Sequence, residues 1–111
     1  MTSASTPTPV VIYAADRASG PDGAVERGDT PIDDTEAVLL LQAGGDIVVC
    51  SSVRRANRNK ARELPRVAFG DFEEDLPHAG RMALPHFHPA SRTPNAHAFF
   101  EALPRHARRK K

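Results

Sequence analysis

Asp33 to Cys50 is the stretch that most limits what this chain can become. Asp33 can cap a helix, and Glu36 three residues on completes a capping box of the Asp-x-x-Glu type. Ala37-Val38-Leu39-Leu40-Leu41 supplies the buried stripe. Gly44-Gly45 then ends the helix with residues that tolerate positive φ. Asp46-Ile47-Val48-Val49-Cys50 follows as an unbroken apolar run, the pattern of a strand covered on both faces. Whatever else the chain does, it must place that strand in the interior of a sheet.

The flanking segments read less sharply. Residues 1–8 are expected to be a disordered lead, and Pro9–Ala15 a short strand rich in β-branched and aromatic residues. Asp16 to Pro31 lacks periodicity and reads as loop. Ser52 is a good cap for a second helix over Val53–Leu64, which Pro65 should stop. Val53, Ala56, Ala61 and Leu64 form its apolar stripe, and Arg54, Arg55, Arg58 and Arg62 gather on another face. Ala68 to Gly80 reads as an acidic loop containing Glu73-Glu74-Asp75. Two strands, Ala83–His88 and Ala96–Phe100, flank a turn holding Pro89 and Pro94, and residues 105–111 form a basic tail. The order strand, helix, strand, helix, strand, strand predicts an α+β class. One small domain over residues 9–104 would pack its helices on a short antiparallel sheet.

Composition closes off several functions. The 111 residues suit one domain, and no apolar run approaches the roughly 20 residues that span a bilayer. Met1–Val11 lacks the basic start and apolar core of a signal peptide, so a cytoplasmic location is expected, in the producer or in a target cell after delivery. A single cysteine, Cys50, rules out an intramolecular disulfide and a multi-cysteine zinc site, and its apolar setting makes it a core residue. Net charge is +1, yet residues 1–50 carry two basic against eight acidic side chains, and residues 51–111 thirteen against six. The basic half suits a polyanionic partner.

All five histidines lie in that basic half, with His86, His88 and His97 inside P-H-F-H-P-A-S-R-T-P-N-A-H. Imidazole titrates nearest neutrality and so exchanges protons without elaborate tuning. Arg92 lies between the second and third, and a guanidinium holds a phosphate at two points. Strand alternation puts His86 and His88 on one face with Phe87 on the other, and His97 on a face with Phe99. Two registers remain open. Pairing His88 with His97 unites all three imidazoles, and pairing His88 with Ala96 turns His97 away. Ser91 and Thr93 are further phosphate donors, whereas His78 and His106 read as solvated surface residues. Phe87, Phe99 and Phe100 read as core.

The segments G-D-I-V-V-C-S-S (45–52), A-F-G (68–70) and P-H-F-H-P-A-S-R … H-A-F-F (85–100), with the basic helix between the first two, resemble C-terminal toxin domains of bacterial polymorphic toxins. These are the variable tips of Rhs/YD-repeat and contact-dependent systems. The resemblance covers roughly residues 33–100 and implies an excised domain or a stand-alone relative. It further implies a metal-independent ribonuclease of the barnase/colicin/RelE-like fold, needing no cofactor. His88 and His97 would be base and acid, His86 a third candidate, and Arg92 the phosphate ligand. Arg54, Arg55, Arg58, Arg62, Ser91 and Thr93 would bind substrate. RNA would be the substrate, an acidic immunity protein the partner, and no membrane would be involved.

The same residues, with Asn95 and His106, are also similar to the HNH nuclease pattern, in which histidines flank a divalent metal. Here the residue beside the first histidine is Phe87, and no cysteine knuckle is present. A zinc site on His86, His88 and His97 is a related expectation. The non-enzymatic alternative is a nucleic-acid or protein-binding module whose histidines are structural. Its mark would be salt-dependent binding without product.

Overall fold

A computed structural model describes residues 10–17, 24–75, 83–91, 93–102 and 106–109. The capping box forms as the sequence requires. Glu36 N–H donates to Asp33 Oδ1 at 2.8 Å and Asp33 N–H to Glu36 Oε1 at 3.1 Å, opening helix α1 over Asp34–Gln42. Gly44, at φ 88°, turns the chain into strand β3, Asp46–Cys50, whose residues 47–50 are buried.

Around these lie β1 (Val11–Arg17), β2 (Val25–Ile32), α2 (Arg54–Phe69), β4 (Phe72–Asp75), β5 (His86–Pro89), β6 (Ala98–Phe100) and β7 (Arg108–Arg109). The strands make one sheet in the order β4-β5-β6-β3-β1-β2-β7. The class is α+β, with both helices packed against the sheet. The sheet is mixed rather than antiparallel, because β3 runs parallel to β6 and β2 parallel to β7.

Strand alternation divides the buried residues into two groups. Ile12, Ile47, Val49, Phe87, Ala98 and Phe100 point to the helices and meet Ala37, Leu41, Ala61 and Leu64. The opposite face carries Ala15, Val48, Cys50 and Phe99, covered by Val25, Leu84 and Ala107. β3 is thus covered on both sides, as its apolar run demanded.

Four local expectations fail for physical reasons. The Asp16–Pro31 loop contains β2, whose polar sequence V-E-R-G-D-T-P-I hides a strand lying between β1 and the two-residue β7. The acidic loop contains β4, an edge strand with mixed exposure and hence no clean alternation. Arg108–Arg109 of the expected tail pairs with Glu26 and Arg27. Helix α2 is displaced at both ends. Its N-cap is Val53, while Ser51 rather than Ser52 accepts the Val53 N–H through its hydroxyl. It also runs through Pro65, which cannot donate to the preceding turn. Tertiary contacts hold the extra turn: Pro65 is buried, Ala68 and Phe69 pack on the core, and Gln42 Nε2 donates to the Ala68 carbonyl at 3.1 Å. Gly70, at φ 84°, ends the helix. The residue 1–8 lead lies outside the described residues. No helix among the described residues is long and apolar enough to cross a membrane.

Candidate functional site

β5 and β6 pair with His86 opposite Phe99 and Phe87 opposite Ala98. One more step along that register sets His88 across from His97. Of the two registers compatible with the sequence, this is the one that unites the three imidazoles on the face away from the helices. The His86 ring centroid lies 5.0 Å from that of His97 and 6.1 Å from that of His88. Phe99 supports the group, stacked on His97 at 5.6 Å and tilted against His86 at 5.1 Å. Phe87, between the two β5 histidines, points into the helix-side core and anchors the strand that presents them.

Two carboxylates complete the group, neither of them singled out from sequence. Asp46 opens β3, and its Oδ1 accepts the His97 backbone N–H at 2.9 Å and lies 2.9 Å from His97 Nδ1. A carboxylate there favours the tautomer that carries its hydrogen on Nδ1. Asp75 ends β4 opposite His86, with Oδ2 3.0 Å from His88 Nε2 and 3.7 Å from His86 Nε2. The only hint in the sequence was period: in E-E-D, Glu73 and Asp75 share a strand face, as His86 and His88 do.

The partners of His88 define its chemistry. Nδ1 lies 2.7 Å from the Pro89 carbonyl, and Nε2 faces the Asp75 carboxylate, so both ring nitrogens confront oxygens that only accept. A neutral imidazole can donate from only one of them. The Nε2 contact is an ion-pair distance without hydrogen-bond alignment, so this buried atom has no hydrogen-bond partner. His86 behaves differently. Burial pushes its imidazole down to about 4, with His97 and His88 acting in the same direction against the Leu84 carbonyl and Asp75. It is neutral at pH 7, and its ring lies near both of the others.

His88 and His97 line a cavity of about 60 Å³ together with Pro89, Pro94, Asn95 and Ala96. That is the volume share of about two water molecules. Ser91 and Thr93 lie in the exposed turn beside it, where Ser91 Oγ donates to the Thr93 carbonyl at 3.0 Å. Arg92, expected beside the phosphate, and His78 lie outside the described residues.

The helix arginines do not join this site. Arg58 pairs with both carboxylate oxygens of Glu74, at 2.7 and 3.0 Å, and sits 5.8 Å over the Phe87 ring on the helix side. Arg54 and Arg62 also act on Glu74, whose carboxyl is held low chiefly by its bond to Arg58. Arg55 is exposed on the same helix. The expected substrate-binding set of Arg54, Arg55, Arg58 and Arg62 therefore belongs to the layer across the sheet from the imidazoles. Sequence periodicity placed the arginines on one helix face but carried no information on which side of the sheet that helix packs.

His106, the remaining HNH element, is half-exposed and lies 3.5 Å from Glu101 rather than among the other histidines. Buried Glu101 also accepts the Ala107 N–H at 3.2 Å, tying down the segment that leads to β7. Beside it, Arg27 lies 4.8 Å over the Tyr13 ring and bonds Cys50, whose thiol is pushed up to about 11, mainly by burial. Cys50 is thus inert at neutral pH, in keeping with a core role. Among the described residues, no group of three or more His, Cys, Asp or Glu side chains is arranged to hold a metal ion. Comparison with protein-family models, curated proteins and solved structures returns no match for this chain.

Proposed function

We propose that the imidazole face is the active site of a metal-independent ribonuclease. One observation carries the reading: His88 and His97 line the same cavity, each with a carboxylate beside one ring nitrogen. His97, whose Nδ1 lies beside Asp46, is the base, the reverse of the order that the resemblance implies. Its Nε2 takes the proton of a ribose 2′-hydroxyl as that oxygen attacks the adjacent phosphorus. His88, beside the Asp75 carboxylate, is the acid and gives its proton to the departing 5′-oxygen as the P–O5′ bond breaks. The products are a 2′,3′-cyclic phosphate and a free 5′-hydroxyl. Arg92 is assigned to the charge on the phosphorane, as its place in the sequence between the two histidines suggests.

The reading rests on side-chain chemistry. The barnase/colicin/RelE-like fold and the kinship with polymorphic toxin domains are proposals of the same standing, as is an acidic immunity partner. Incubation of the protein with total RNA and with plasmid DNA, with and without EDTA, tests the assignment. RNA cleavage that survives EDTA and spares DNA is expected, because DNA lacks the 2′-hydroxyl. His88→Ala and His97→Ala should each reduce it by about 10²–10⁴-fold. Salt-dependent binding with no product, or undiminished cleavage by the double variant, rules the assignment out.

A further inference from the structure

The helix layer carries a feature that the imidazole chemistry does not use. α1 and α2 lie side by side and run parallel, since Lys60 Nζ meets Asp34 Oδ2 at 2.9 Å near one end and Gln42 Nε2 meets the Ala68 carbonyl at 3.1 Å near the other. Between them runs an apolar groove of about 300 Å³, lined by Val38, Leu39, Leu64 and Val67, with Asp34, Thr35 and Glu63 at its rim. Leu39 is 60% exposed and Val67 63% exposed, the two most exposed large hydrophobic residues among those described, and they share this one groove. Single exposed apolar residues are ordinary, but two paired across a groove form a patch.

We infer that this groove is a self-association surface on which a second copy of the chain docks by its own α1–α2 face. The charge pattern selects that occupant. Exposed Glu36 makes the outer α1 flank acidic, Asp34 being paired with Lys60 across the groove, while Arg62 and Arg66 line a shallow depression on the α2 flank together with Asn59 and Glu63. Asp34 is level with Lys60 and Gln42 with Ala68, so the same offset along the two helices sets Glu36 level with Arg62. A two-fold axis running along the groove keeps that level and exchanges the flanks. Glu36 of one copy then faces Arg62 of the other, twice over, with Leu39 and Val67 packed between.

The surface is large enough for the purpose. The 16 residues of α2 extend about 24 Å and the nine of α1 about 13 Å, so the two helices, each about 10 Å wide, present a face of about 375 Å² in plan. A face of this size, below roughly 600 Å² per partner, suits a weak, reversible dimer. The imidazole face lies on the other side of the sheet and stays open in such a dimer.

Sedimentation velocity of the intact chain across a wide concentration range tests the inference independently of any nuclease activity. A reversible monomer–dimer equilibrium is expected, tightening as salt is lowered. Leu39→Asp and Val67→Asp should each weaken it at least about tenfold, and Arg62→Glu by a comparable factor. Because all three side chains are exposed, circular dichroism and the thermal midpoint should stay near those of the parent. A parent chain that remains monomeric throughout overturns the inference, as does a dimer indifferent to both apolar substitutions.

Discussion

The two faces of the sheet are built from the same strands, one residue out of phase, and they share almost nothing chemically. Toward the helices, β1, β3, β5 and β6 present Ile12, Ile47, Val49, Phe87, Ala98 and Phe100, an unbroken apolar surface. Away from them the same strands present Tyr13, Asp46, Cys50, His86, His88 and Phe99. The first face is covered by two helices and the second by connecting segments that contribute Leu84 and Ala107. The lesson is a division of labour by pleat. Apolar alternates lock each strand in register, and that register sets where the titratable alternates stand. Phe87 is the clearest instance, since its burial between His86 and His88 holds both imidazoles on the far side.

If the helix-side face supplies the stability, its loss should dominate. Phe100 is fully buried there, and Phe100→Ala should cost about 3–5 kcal/mol in urea unfolding at neutral pH. A cost near 1 kcal/mol would break the comparison.

The other face should be the one that answers to pH. His86 takes a proton near 6.5 when unfolded but only at about 4 when folded, so the unfolded chain binds more protons between those values. Stability is therefore fully present above about pH 6.5 and falls as pH is lowered toward 4, by an amount on the order of 3 kcal/mol for this group. His86→Phe, which keeps a ring against Phe99 and cannot titrate, should flatten that part of the pH–stability curve. Asp75, His88 and His97 surround the position, so an unchanged slope in the variant would assign the pH response to them instead.

The smallest effect sharpens the boundary between the layers. Asp33→Ala removes the cap of α1 and should cost about 1 kcal/mol of unfolding free energy. RNA cleavage, assayed well below both thermal midpoints, should not change, since α1 packs on the opposite face.

Legibility followed the strength of local signals. The α1 capping box, the glycine turn and β3 were readable because each rests on interactions within a few residues. The same holds for the common face of His86 and His88, which follows from alternation alone. β2 and β4 were not readable, because polar and edge strands are held mainly by ladder hydrogen bonds and bury too little to need an apolar pattern. Asp75 went unnoticed with β4, and Asp46 because it reaches His97 across 51 residues of sequence.

Residue order alone was enough to establish a helix leading into a doubly covered strand, a basic C-terminal half and imidazoles spaced for one strand face. The long-range pairings were settled in three dimensions: His88 set across from His97, a carboxylate delivered to each, and the arginine helix sent to the other side of the sheet. The reason is that periodicity specifies a residue's direction relative to its own backbone, whereas register and layer depend on which distant segments bury the most apolar surface together.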